Sequence, residues 1–212
     1  MRESRFAPWP LRLALACAAF SGLLGCMNHY VLHPKRPPPG VEAWREDLQH
    51  GALRIHMQWA APAGALGPLP AVLVHPEAGK RAEDMRGVLL DLASHGYLAA
   101  AADYTRLIDG RWQRTLFPFR REGDLTRALE ALEADPRADR SRVALMGFSQ
   151  GGVFSLIMAA YAPGVSAVVA YYPVTDFESW MDDPSYSRGR RWIFGFIRRH
   201  FYKKSGARSE EE

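Results

Sequence analysis

A serine stands at the centre of Gly147-Phe148-Ser149-Gln150-Gly151, between the apolar run Val143-Ala144-Leu145-Met146 and the apolar, helix-patterned stretch from Gly152 to Ala160. A buried strand that turns directly into a helix must reverse within a few residues. Gly147 and Gly151 supply the room, because they let the helix and its neighbours approach the turn closely. Few arrangements satisfy this local pattern. It places Ser149 on a tight, strained strand-to-helix turn, exposed at the carboxyl end of a strand, which is the setting of a nucleophile elbow.

The rest of the chain carries a matching rhythm. Ala52 to Trp59 alternates polar and apolar residues with period two, as a half-buried strand does, and Val41 to Trp59 reads as two early strands with a turn near Gln49-His50-Gly51. After a loop over Ala60 to Leu69 the pattern changes. Pro70 to Val74, Tyr97 to Asp103, Arg142 to Phe148 and Ser166 to Tyr172 read as strands buried on both faces. Between them, Ala82 to His95, with Gly96 as its stop, and Glu122 to Glu133 place apolar residues at helical spacing, while Leu107 to Phe119 reads as a loop. Apolar runs alternating with amphipathic helices imply a mostly parallel sheet with helices on both faces, and the early alternating strands imply an antiparallel N-terminal edge. Ligands of such sheets bind at the carboxyl ends of the strands. Ser149 and His75-Pro76-Glu77-Ala78-Gly79 both fall there.

A serine hydroxyl is a weak nucleophile until a base takes its proton, and the negative charge that develops on a substrate oxygen needs donors. The backbone N–H of Gln150, at a helix N-terminus, is one candidate oxyanion donor. The second belongs to the loop after the first buried strand. Pro76 has no N–H, so Glu77 is the choice and Ala78 the next. His75 reads as a structural residue that holds this loop. His29 and His33 fall in an N-terminal spacer, and His50, His56 and His95 read as ordinary surface or turn residues.

Residues 1–26 read as a targeting segment. Arg2 and Arg5 form a basic start, and Leu11 to Leu24 is an apolar stretch too short to span a bilayer comfortably. It ends in Leu23-Leu24-Gly25-Cys26, which resembles a bacterial lipobox. Cys26 is therefore the expected lipidation site, the expected location the bacterial cell envelope with the outer membrane favoured, and the membrane a partner through a lipid anchor. Cys17 lies inside the leader, so no intramolecular disulfide is expected in the mature chain. Residues 27–40, with Pro37-Pro38-Pro39, form a tether, residues 41–180 the globular core, and 181–212 a basic, aromatic tail. Arg188 to Lys204 in that tail fits a basic amphipathic helix on an anionic membrane surface or a cap over an acyl pocket; the many aromatics favour the cap. Of the net charge of +4, Arg2, Arg5 and Arg12 against Glu3 account for +2, so the remainder is too small to point to nucleic acid. No P-loop, dinucleotide fingerprint, zinc-ligand spacing or calcium loop is present, and neither a metal nor a cofactor is expected.

Val72-Leu73-Val74-His75, Gly147-Phe148-Ser149-Gln150-Gly151-Gly152 and Tyr172-Pro173-Val174-Thr175-Asp176 together resemble the α/β-hydrolase superfamily, in its dienelactone hydrolase and prolyl oligopeptidase-like groups, over roughly residues 41 to 180. The resemblance implies an α/β-hydrolase fold, Ser149 as nucleophile, and small-molecule ester, lactone or peptide substrates. In those families an acid follows the next strand and a histidine the one after. Asp182 to Glu212 contains no buried-strand pattern. The expectation is therefore a chain truncated before its acid and histidine and lacking the last strands. Asp176 and His200 satisfy the order serine, acid, histidine nominally, but His200 is flanked by Arg198, Arg199, Lys203 and Lys204, which lower its basicity. Ser166 to Tyr172 would then form an exposed edge open to a completing partner. The alternative function is a non-catalytic hydrolase-fold lipoprotein that serves as a binding or scaffold module.

Overall fold

The computed structural model describes residues 36–114 and 122–189, together with 191, 192, 194, 195, 198 and 199. The leader with Cys26, most of the tether, and His200 lie outside the described residues.

Among the described residues seven strands make one sheet: β1 (Val41–His50), β2 (Leu53–Pro62), β3 (Leu69–His75), β4 (Leu98–Ile108), β5 (Arg111–Arg114), β6 (Ala138–Phe148) and β7 (Val165–Tyr171). Their order is β1-β2-β4-β3-β6-β7, with β5 paired to β4. The β1–β2 and β2–β4 pairs are antiparallel, whereas β3–β4, β3–β6 and β6–β7 are parallel. The mixed sheet with its antiparallel N-terminal edge is the expected architecture. Among the described residues β7 forms the other edge, and Val169 and Tyr171 on it are exposed.

Alternation decides which face each residue serves. Leu53, Ile55, Met57 and Trp59 of β2 point to one side, where they join Leu73, Leu98, Ala100, Leu145 and the helices α2 (Glu122–Ala134) and α3 (Gln150–Tyr161). On the opposite face Val72, Val74, Ala99 and Ala101 pack under α1 (Arg86–Ser94) through Leu89, Leu90 and Ala93. The alanine run of β4, fully buried from Ala99 to Ala102, keeps this layer thin enough for helices on both sides. Gly96, at φ +90, ends α1 where an L side chain would be strained. Arg106 Nε and Nη2 both donate to the buried Asp124 carboxylate, at 2.7 and 2.5 Å, and so tie the first turn of α2 to β4.

Several boundaries differ from the expected ones: the helix expected over Ala82 to His95 is a 3-10 turn (Ala82–Met85) followed by α1, β2 runs on to Pro62, and two differences are larger. Leu107 to Arg114 is a hairpin, not a loop: β4 runs to Ile108 and β5 returns through Asp109-Gly110, both at positive φ. Asp-Gly is the dipeptide that a two-residue hairpin turn requires. The remainder of that expected loop, residues 115–119, lies outside the described residues. β6 begins at Ala138, four residues before its expected start at Arg142, because Ala138 and Asp139 pair with Leu69 and Pro70 ahead of a register shift.

Where β3, β4 and α3 meet, the core takes in a chain of polar groups. His75 is fully buried, with Nδ1 3.3 Å from Ser155 Oγ and Nε2 3.1 Å from the Tyr104 hydroxyl. Ser155 donates onward to the Gly151 carbonyl at 3.0 Å. This leaves one consistent tautomer: Tyr104 O–H donates to Nε2, and Nδ1–H donates to Ser155. Every member is satisfied, so the network stabilises a single arrangement without leaving an orphaned donor.

Burial lowers the His75 pKa from 6.5 to about 4. An unfolded chain protonates this histidine as the pH falls through 6.5, while the folded chain resists until about 4, so stability is lost across that window. By linkage the loss is about 3 kcal/mol. Urea denaturation at about pH 7 and about pH 4.5 should show the wild type losing stability that a His75→Gln variant does not lose. Parallel pH dependence of the two proteins would contradict a buried neutral His75.

Candidate active site

Ser149 has φ 49° and ψ −114° and sits between the last residue of β6 and the first of α3. A non-glycine residue there costs about 1–3 kcal/mol and persists only where its surroundings fix it. Three contacts do so. Ser149 N–H donates to Tyr171 O at 2.9 Å, which ties the turn to the end of β7, and Val153 N–H donates to Ser149 O at 3.2 Å, which starts the helix. The third is glycine packing. A Cβ on Gly147 would lie inside contact distance of the Gly151 carbonyl and 2.5 Å from Gly152 N. A Cβ on Gly151 would overlap the His75 carbonyl and stand 2.6 Å from Pro76 O. Real Cβ atoms essentially never come within 3.0 Å of such neighbours, so backbone replaces side chain at both positions. A serine at a helix N-cap usually folds its hydroxyl onto the first-turn N–H groups. Ser149 makes no such side-chain cap, and among the described residues no hydrogen bond engages its hydroxyl.

The same close approach brings in the loop after β3. The carbonyls of His75 and Pro76 abut Gly151 on the first turn of α3, so the Pro76–Glu77 peptide lies against the elbow. Glu77 is half-buried and Ala78 exposed, and Lys80 N–H closes a turn onto Glu77 O at 3.1 Å with Gly79 at φ +85. Gln150 opens α3, where the positive end of a twelve-residue helix favours developing negative charge. The structure thus brings Ser149, Gln150 and Glu77 to one corner of the sheet, and His75 supports that corner from beneath.

The other candidates are elsewhere. Asp176 spends its carboxylate on α4 (Phe177–Met181), accepting from Ser179 N at 2.9 Å and Ser179 Oγ at 2.6 Å. Beyond α4 the described residues at 188–189, 191–192, 194–195 and 198–199 are helical, and Phe194 packs on Trp180 and Tyr186 while Arg198 pairs with Asp182. His56 lies on β2, within the expected strand: it is half-buried, 2.9 Å from Asp47 Oδ1 and 3.2 Å from Thr105 Oγ1. It borders a cavity of about 230 Å³ on the α1 side of the sheet, also lined by Arg45, Gln58, Arg81 and Asp103. The order carboxylate, imidazole, hydroxyl is that of a catalytic triad, but the Ala82 N–H on this wall is already taken by Asp103 at 2.8 Å. A cross-strand ladder accounts for the contacts.

Tyr172 opens a segment that carries the family resemblance but is not among the expected site residues; it is one residue from the carbonyl that anchors Ser149 and has φ +40. Pro173 rests on the first turn of α3, 3.2 Å from where a Gly152 Cβ would be.

Glycine-to-alanine substitution separates packing from mere turn propensity. Gly151→Ala should cost at least about 3 kcal/mol in chemical denaturation. Gly123→Ala on α2, whose Cβ meets nothing within 4 Å, should be neutral or stabilising by up to about 1 kcal/mol. Equal effects would contradict the close backbone approach.

The sequence profile of the dienelactone hydrolase family matches residues 55–187. No match was found among curated proteins. Among solved structures the chain is similar to m3DLH, at 25% identity over 63% of this chain and 60% of that one, with a TM-score of 0.52. It is also similar to a dienelactone hydrolase-like promiscuous phosphotriesterase, P91, from metagenomic libraries, at 24% identity, 76% and 77% coverage and a TM-score of 0.54. Acetyl xylan esterase 1 from a Thermoanaerobacterium species is similar at 22% identity, 87% and 67% coverage and a TM-score of 0.53. The chain therefore spans 60% of the length of m3DLH. A profile match over more than half of the chain, on a mixed sheet flanked by helices with a strained serine between β6 and α3, places this protein in the dienelactone hydrolase family of α/β-hydrolases.

Proposed function

We propose that the protein is a serine hydrolase of carboxylic esters or lactones, with Ser149 as nucleophile and the N–H groups of Gln150 and Glu77 as oxyanion donors. The observation that carries this reading is the Ser149 backbone, held at φ 49° and ψ −114° with its hydroxyl withheld from helix capping. Strain of that kind is maintained where a side chain must be presented and not packed. Membership of a family named for lactone hydrolysis supports the substrate class.

In the proposed reaction Ser149 Oγ adds to the scissile carbonyl as its proton passes to water, which later returns a proton to the departing alkoxide. The tetrahedral oxyanion forms against the two backbone donors and the N-terminus of α3. The alkoxide departs with a proton, leaving an acyl-serine that water cleaves to the acid and regenerated serine. Each oxyanion donor is worth about 2.7–4 kcal/mol of barrier in comparable sites. Asp176, bound to Ser179, is not assigned as the acid.

A second reading is a non-catalytic hydrolase-fold module. It is favoured by the absence, among the described residues, of any imidazole hydrogen-bonded to Ser149. An alkyl fluorophosphonate decides between the two. The wild type should be labelled on Ser149 and a Ser149→Ala variant should not be. Folded wild-type protein that stays unlabelled would favour the non-catalytic module.

A further inference from the structure

Two non-glycine residues at the elbow corner adopt positive φ: Ser149 at 49° and Tyr172 at 40°. The first is explained by presentation of a hydroxyl. The second is the more costly, because a bulky aromatic side chain is a true outlier in this region. Strain is commonly offset by burying the residue that bears it, yet Tyr172 is 65% exposed. Its backbone is instead fixed from both neighbours. The Tyr171 carbonyl accepts the Ser149 N–H at 2.9 Å, and Pro173 seats on Gly152. The ring is therefore held at the surface within one peptide unit of the elbow.

Its surroundings are aromatic and continuous with the site. Phe148, the residue before Ser149, stacks on Tyr171 with ring centres 5.0 Å apart and an interplanar angle of 6°. Phe148 also lies 6.5 Å from the Tyr172 ring at 54°. Partial burial, and after it the Glu77 carboxylate, raise the Tyr172 phenol pKa, so the hydroxyl stays protonated at neutral pH. Phe148 thus links its chain neighbour Ser149 to the exposed ring of Tyr172.

We infer that Tyr172 is a specificity-determining residue whose ring, backed by Phe148, forms the wall against which an aromatic group beside the scissile bond packs, so that aryl-substituted esters or lactones are preferred over short aliphatic ones. This rests on the proposed role of Ser149. Stacked and edge-to-face rings gain free energy beyond the area they bury, enough for a preference of about tenfold. A small, strongly polar acyl group would gain nothing from the same wall.

Boronic acids test the inference without requiring turnover, since the Oγ lone pair of an activated serine adds to boron and its proton passes to water. Calorimetric titration of the full chain with phenylboronic acid and n-butylboronic acid should show the phenyl compound binding about tenfold more tightly. Tyr172→Phe should keep that ratio. Tyr172→Ala should bring it close to one while leaving the butyl affinity within about twofold. Tyr172→Gly, which suits the positive φ, should do the same and guards against a misfolded alanine variant. Ser149→Ala should abolish binding of both compounds. A ratio unchanged in the alanine and glycine variants, with both boronates still bound by the wild type, would overturn the role of Tyr172 alone. Failure of the wild type to bind either boronate would overturn the role of Ser149, and that of Tyr172 with it.

Discussion

The contact on which this structure turns is backbone against backbone. The first turn of α3 lies directly on the His75 and Pro76 carbonyls at the end of β3, and no side chain separates them. Gly151 makes this approach possible, and Gly147 makes the matching one on the other side of the turn. The geometry of the site depends on it. The serine is forced into its unusual dihedrals, the loop carrying Glu77 is brought beside the helix N-terminus, and β7 supplies the Tyr171 carbonyl that fixes the Ser149 N–H. Remove the glycines and the corner would have to open, taking the two candidate oxyanion donors apart.

Beneath that corner the buried Tyr104–His75–Ser155 chain ends on the Gly151 carbonyl, the atom that crowds Gly147. A histidine in a member of the dienelactone hydrolase family invites a catalytic reading. Here both of its ring nitrogens are committed and no surface of it reaches solvent. It acts as a polar brace between β3, β4 and α3. Its cost is sensitivity to acid, and its benefit is that the strained turn rests on a rigid base. A site that must hold donors to within a fraction of an ångström needs such support.

Much of this was legible in the sequence because the signals are local. Continuous apolar runs gave the parallel strands, period-two alternation gave β2, and the glycine spacing around Ser149 gave the elbow. The Asp109-Gly110 hairpin carried an equally local signal, in a stretch whose polar, irregular composition reads as a loop until the turn dipeptide is weighed. The start of β6 was not legible, since Ala138 to Ser141 is polar and joins the sheet only through its pairing with β3. Nor were the partners of His75, which lie far from it in the chain: Tyr104 and Ser155 reach it through the topology alone. Tyr172 belongs to the same class. A tyrosine before a proline says nothing of positive φ until β7 is anchored to the elbow.

The central claim is that the strained serine is an acyl-accepting nucleophile, and mass spectrometry of a rapidly acid-quenched reaction reads it most directly. After brief exposure to p-nitrophenyl acetate, the peptide containing Ser149 should carry one acetyl group, in an amount that rises with the initial release of nitrophenolate. Nitrophenolate release with no adduct on Ser149, or with the acetyl group on another residue, would contradict the account.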